Sequence, residues 1–203
     1  MPRRAVLALA ALLALAAPAA AVQPADGQAV PASAPGDMVL GRADAPVTVI
    51  EYASVTCPHC AEWHRDVLPE LRERFIDTGR VRLVFRELPT PPFELAMGGF
   101  MVARCAGAEH YFDVVADLMR LQNAIRLSPY GGLVAVAGSH GMDRAAVDAC
   151  LADEAGADAF AARAAAARDH GVNSTPSIFV QGVRVENGHT MAGVEAAILA
   201  AER

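Results

Sequence analysis

The stretch "PVTVIEYASVTCPHCAEWHRDVLPELRERF" constrains the chain more than any other, because a strand pattern changes to a helix pattern at two cysteines. Val47 to Ala53 is rich in β-branched residues with little alternation, as in a strand covered on both faces. Trp63, Val67, Leu68, Leu71 and Phe75 then recur at helical spacing up to Gly79, and Pro69 predicts a kink. "VRLVFREL" (Val81 to Leu88) reads as a second strand, so a right-handed β-α-β unit with a parallel pair is expected. From Phe93 to about His170 the text is helical; strand character returns at "PSIFVQGVRVENG", with turn signals at Gln181-Gly182 and Asn187-Gly188, and "GVEAAILAAER" closes as a helix. The expected fold class is α/β: a small sheet domain interrupted by a helical insertion over about 93–170.

The first residues place Arg3 and Arg4 before an apolar run that ends in Ala19-Ala20-Ala21, the pattern of a cleaved secretory signal over residues 1–21. The apolar stretch is too short to span a bilayer, which argues against a membrane anchor. Residues 22–38, rich in Pro, Ala, Gly and Asp, read as a flexible leader ahead of one domain over 39–203. The formal charge is −6, and losing the two arginines of the signal makes it −8, so the chain is a poor candidate for nucleic acid and none is expected as a partner. All 17 basic residues are arginine, a compositional bias without mechanistic meaning. Export to an oxidising compartment makes disulfides the default for Cys57, Cys60, Cys105 and Cys150.

Cys57-Pro58-His59-Cys60 puts one thiol at a helix start and the other a turn inside. The unpaired first N–H groups and the positive end of the helix dipole favour a thiolate at Cys57. Pro58 suits the first helical position, and His59 adds a donor and, when protonated, a positive charge. Stabilising the reduced, charged form makes the disulfide form the stronger oxidant. Cys60 is expected to be buried, with an ordinary or raised pKa, and to act as the resolving thiol. Glu51, six residues before Cys57 in an apolar strand, is either a surface-facing glutamate at the strand end or a buried carboxylate under the active site. Cys60, Cys57, His59 and His64 do not make a closed zinc site, since one helix turn supplies two or three of four ligands; no metal and no cofactor are expected. Trp63 reads as core or groove wall.

With these residues the chain resembles the DsbA family of periplasmic thiol:disulfide oxidoreductases, whose thioredoxin-like fold carries an inserted helical domain. The resemblance rests on "CPHC", on the order of elements from about Val39 onward, and on "GVNSTPSIFVQG", which looks like the family's cis-proline loop. It implies that Pro176 faces the CxxC pair, that the Thr175 backbone pairs with an extended substrate, and that Glu51 helps move the proton of the buried cysteine. It further implies a monomeric periplasmic dithiol oxidase that acts on reduced or unfolded secreted proteins through a mixed disulfide at Cys57. Reoxidation would come from a DsbB-type, quinone-linked membrane partner. A disulfide isomerase or reductase is the alternative reading, and a non-enzymatic metal carrier a more remote one. Cys105 and Cys150 depart from the best-known members. A structural disulfide clamping two helices is favoured over a second redox pair, and buried free thiols stay open; the bond would restrict the unfolded chain by roughly 4 kcal/mol.

Overall fold

The computed structural model describes residues 29–203. The signal assignment at 1–21 and residues 22–28 of the leader lie outside the described residues. The chain forms β1 (Met38–Leu40), β2 (Val47–Ala53), α1 (Pro58–Asp66), α2 (Leu68–Leu71), a π-helical turn (Arg72–Ile76), β3 (Val81–Glu87), α3 (Phe93–Cys105), α4 (Tyr111–Arg120), α5 (Gln122–Leu127), α6 (Pro129–Ser139), α7 (Arg144–Leu151), α8 (Glu154–Asp169), β4 (Ser177–Val180), β5 (Val183–Arg184) and α9 (Met191–Ala201). The sheet order is β1-β3-β2-β4-β5. β2 runs parallel to β3, with Val47 opposite Val81 and Ala53 opposite Glu87, and antiparallel to β4.

All seven residues of β2 are buried, which is why its sequence does not alternate. Its side chains nevertheless divide by the period of two. Val47 and Val49 pack with Trp63, Val67, Leu71 and Phe75 from the segment after the cysteines and with Val194 and Ile198 of α9. Ile50 and Tyr52 point to the opposite face, against Val84, Phe179 and Ala167 of α8. The same alternation turns Glu51 and Ala53 toward α1. At the end of the β4–β5 hairpin Gln181 (φ 50°) and Gly182 (φ 81°) both take left-handed conformations, the geometry of a tight two-residue turn that matches strand twist.

The expected kink at Pro69 is a one-residue break between α1 and α2 at Val67 (φ −110°, ψ −48°). Proline has no N–H to reach the carbonyl of Arg65, the bonds from the Val67 amide to Trp63 and from the Leu71 amide to Val67 persist, and after four residues the hydrogen bonding widens, with the Asp77 N–H donating to the Arg72 carbonyl at 2.8 Å.

The insertion comprises α3 to α8 around its own core of Phe100, Tyr111, Val114, Val115, Leu118 and Phe160, and this core is continuous with Ala53, Cys57 and Cys60. Cys105 and Cys150, at the ends of α3 and α7, are joined in a disulfide. The insertion is fixed to the sheet by Glu87 at the end of β3. Its fully buried carboxylate accepts from Arg104 Nε at 2.6 Å, Arg163 Nη2 at 2.8 Å and the Tyr111 hydroxyl at 3.1 Å.

The leader differs from expectation. From Ala29 onward the segment given to a flexible leader is packed against the sheet. Val30 is 3% exposed among Ile50, Tyr52 and Phe179, and its N–H donates to the Gly182 carbonyl at 3.1 Å. Arg86 donates to both carboxylate oxygens of Asp37 at 2.8 and 3.0 Å and to the Pro31 carbonyl at 2.8 Å. Met38–Leu40 then pairs antiparallel with β3. Proline and glycine do not prevent order here, because buried arginine and an apolar side chain supply what the segment's own composition lacks.

Candidate active site

The strand β2 ends at Ala53, and four residues carry the chain to α1. Ser54 and Thr56 are buried in this connection and hydrogen bonded to each other at 3.0 Å; the Thr56 hydroxyl also donates to the Thr90 carbonyl at 2.8 Å. The insertion braces it from the other side. Gln122 donates to the Cys57 carbonyl at 3.0 Å and Arg126 to the Thr56 carbonyl at 3.1 Å. Neither residue stands out in the sequence, because α5 is a short helix with a single buried side chain, Ile125.

Cys57 is the residue that caps α1, with extended geometry (φ −87°, ψ 119°), and Pro58 occupies the first helical position. The Cys57 carbonyl accepts from the Cys60 and Ala61 amides, at 3.1 and 3.2 Å, while its sulfur lies within reach of the backbone amides of His59 and Cys60 at the helix start. Its thiol is lowered to about 5, chiefly because Cys60 hydrogen bonds to it; burial opposes this, and Thr175 and the backbone amides of Cys60 and His59 assist. In the dithiol form described here the Cys57 Sγ donates to the Thr175 carbonyl at 3.4 Å, and the buried Thr175 hydroxyl has no hydrogen-bond partner among the described residues, which leaves it able to turn to a thiolate. Cys60 is fully buried. Burial first, and the neighbouring Cys57 second, push its thiol far above the ordinary range, while the Ser54 amide approaches its sulfur at 3.5 Å. One thiol is thus prepared as a thiolate and the other as a neutral thiol.

The His59 ring is turned away from the cysteines. It lies 77% exposed beside Glu62 at 3.0 Å, which raises its pKa, and the Cys57 thiolate adds to that rise. Of His59, it is the backbone amide that bonds toward Cys57. Glu51 is the buried carboxylate and not the surface glutamate: its side chain is wholly enclosed, and both oxygens face His64 Nε2, at 3.0 and 3.2 Å. His64 is the site residue that sequence reading did not single out, except as a metal ligand to be dismissed. The available signal was its position four residues after Cys60, on the same face of the helix.

The Thr175-Pro176 peptide bond is cis, as is Pro91-Pro92. Thr175 and Pro176 border one groove, of about 390 Å³, with His59, Glu62, Trp63, Asp66 and His189. A second groove, of about 750 Å³, opens on the other side of α1, between Pro58, Ala61 and His64 and the α4–α5 residues Met119, Arg120, Gln122 and Arg126. Trp63 is both core and wall, 2% exposed, with its indole N–H donating to the Gly188 carbonyl at 2.9 Å.

Comparison with known proteins agrees with this architecture. The family model described as Thioredoxin matches residues 33–200. A candidate protein-disulfide oxidoreductase of Rickettsia bellii is 33% identical over 166 residues, covering 80% of this chain and 63% of the relative, so the chain spans less than two thirds of that relative's length. Among solved structures, alpha-DsbA1 of Wolbachia pipientis superposes with a TM-score of 0.73 at 25% identity, over 83% of this chain and 92% of its own. BdbD of Bacillus subtilis shares the fold, with a TM-score of 0.75 at 22% identity, over 82% of this chain and 92% of its own. A thioredoxin sheet with a helical insertion, a Cys57–Cys60 pair at the start of α1 and a cis Thr175-Pro176 beside it together show that the chain belongs to the thioredoxin family, in its DsbA-type branch.

Proposed function

We propose that the protein is a thiol:disulfide oxidoreductase that works as a dithiol oxidase in an oxidising, extracytoplasmic compartment, the periplasm. The observation that carries this reading is the opposite treatment of the two thiols, with Cys57 drawn down to about 5 and Cys60 buried and held neutral. In the disulfide form a substrate thiolate attacks the Cys57 sulfur. The Cys57–Cys60 bond breaks, its electron pair passes to Cys60 sulfur, which takes up a proton, and a Cys57–substrate disulfide forms. A second substrate thiolate attacks the substrate sulfur of this mixed disulfide, and Cys57 leaves as a thiolate. The substrate has lost two electrons and the enzyme has gained them.

Each site residue has a part in this scheme. Pro58 and the His59 amide shape the helix start that stabilises the leaving thiolate. Thr175 and Pro176 form the wall on which an extended substrate pairs through main-chain hydrogen bonds, which tolerates many sequences. Glu51 serves the proton that Cys60 gains and loses. Cys105 and Cys150 take no part in electron transfer and hold α3 to α7. The substrates are reduced or unfolded secreted proteins, the protein works as a monomer, and a DsbB-type quinone-linked membrane partner restores the disulfide.

The test is the equilibrium of the Cys57–Cys60 couple against glutathione, in a variant with Cys105→Ser and Cys150→Ser. A strong preference for the dithiol, even in largely oxidised glutathione, is the expected result. A disulfide that resists reduction would reject the oxidase and favour a reductant.

A further inference from the structure

Cys60 has to gain or lose a proton in every turnover of the proposed oxidase, yet it is 0% exposed and has no path to water of its own. Glu51 is equally enclosed. A proton that moves only between these two groups never leaves the protein, so a third group has to carry it to solvent.

We propose that His64 is that group, a relay that passes the Cys60 proton between Glu51 and the groove bounded by α1, α4 and α5; the inference rests on the oxidoreductase reading. The geometry has three parts. β2 turns Glu51 toward α1, close enough that its charge bears on Cys60. His64 Nε2 meets both oxygens of Glu51, at 3.0 and 3.2 Å. The other ring nitrogen, Nδ1, is a buried polar atom with no hydrogen-bond partner among the described residues, and His64 lines the groove whose other wall is Met119, Arg120 and Gln122. An imidazole can accept a proton at one nitrogen and release one from the other, so a ring held between a carboxylate and a groove transfers a proton without turning. Phe85 stands edge-on to the ring at 6.0 Å and keeps it in place.

Around the ring the titratable and charged groups are Glu51 from β2, Cys60, Glu62 and Arg65 from its own helix, Arg120 from α4 and Arg126 from α5. Arg65 is engaged by Asp66, Arg120 by Asp117 and Arg126 by the Thr56 carbonyl, so none of these arginines competes with His64 for Glu51. His64 does not touch the sulfur; it is a positioning residue that acts through Glu51.

The balance is simplest in the resolving step. When reduced protein meets oxidised glutathione, the Cys57 thiolate attacks, a Cys57–glutathione disulfide forms and one glutathione thiolate leaves. Cys60 then gives its proton to Glu51, His64 passes a proton to the groove, and the Cys60 thiolate attacks Cys57 sulfur. The Cys57–Cys60 bond forms, and the second glutathione departs as thiolate.

Rapid acid quenching separates these two steps, and the rate of the second is followed against pH in the wild type, His64→Gln and Glu51→Gln. In the wild type the rate is expected to rise through an inflection that coincides with the protonation of the His64 ring followed by NMR in the same samples. In His64→Gln, which keeps an amide to face Glu51 but cannot take up and release a proton, the second step falls by about a hundredfold and loses the inflection, while the first step keeps its rate. Glu51→Gln shows the same loss. A His64→Gln profile superimposed on the wild type would overturn the relay, and should that variant not fold, a wild-type midpoint unrelated to the His64 titration would overturn it equally. If Cys57 forms no mixed disulfide at all, the oxidoreductase reading has failed instead.

Discussion

The Cys57 sulfur is the atom on which the chemistry depends, and its acidity has consequences in both reactivity and stability. With the thiol lowered to about 5, alkylation of the reduced protein by iodoacetamide is expected to show a single inflection near pH 5, and to be at its plateau at pH 7. An inflection near that of free cysteine would refute the environment described for α1. The sign for stability follows from linkage. The folded-state pKa is depressed, so the thiolate's contribution is complete only above the ordinary thiol value, declines as pH falls and is lost on passing through about 5. Reduced protein should therefore exceed the disulfide form in unfolding temperature by a margin that narrows toward pH 5. The pair at the helix start, with Thr175-Pro176, was legible at this scale because each is a short motif with a local mechanism. His64 was not, because its importance arises from β2 delivering Glu51 to it, a contact that spans 13 residues and depends on which strand face meets α1.

At the scale of elements, the joint between insertion and sheet is electrostatic as well as apolar. Glu87 is one carboxylate serving two guanidinium groups and a phenol, and all of them are drawn from different helices: Arg104 from α3, Tyr111 from α4 and Arg163 from α8. Burial and the Glu87 charge raise the Tyr111 hydroxyl well above its ordinary value, so it stays a donor. Replacing the carboxylate leaves two part-buried cations without a counter-charge. Glu87→Ala is expected to cost about 3 kcal/mol in urea unfolding, and a loss well under 1 kcal/mol would show that the joint is held by packing alone. The β-α-β unit, the helical block and the hairpin could be read from periodicity and from Gln181-Gly182. β1 could not, since three residues with an exposed Val39 give no pattern of their own. Within the helical block α5 had no pattern of its own for the same reason, its place being set by what Gln122 and Arg126 reach and not by a stripe of apolar side chains.

Over the whole molecule, the two cores meet at the cysteines. Cys57 and Cys60 pack with the insertion, while Trp63, one turn on, packs with the sheet and α9. The residues before β1 belong to neither element and brace the far face of the sheet. Val30→Ala is expected to lower stability by roughly 2 kcal/mol in thermal or urea unfolding while leaving the iodoacetamide rate at Cys57 unchanged. No change in stability would return residues 29–37 to the status of a loose leader.

That brace also sets an order in time. A chain is made from its N-terminus, and domains complete as their last partners arrive. The Val30 amide is among the first of the described groups to emerge, but the carbonyl it binds belongs to Gly182, in the hairpin made after the insertion. Phe179, against which Val30 packs, is just as late. Among the described residues, the earliest packed segment therefore waits until Gly182 has been made, and the far face of the sheet closes only after the helices of the insertion have been synthesised.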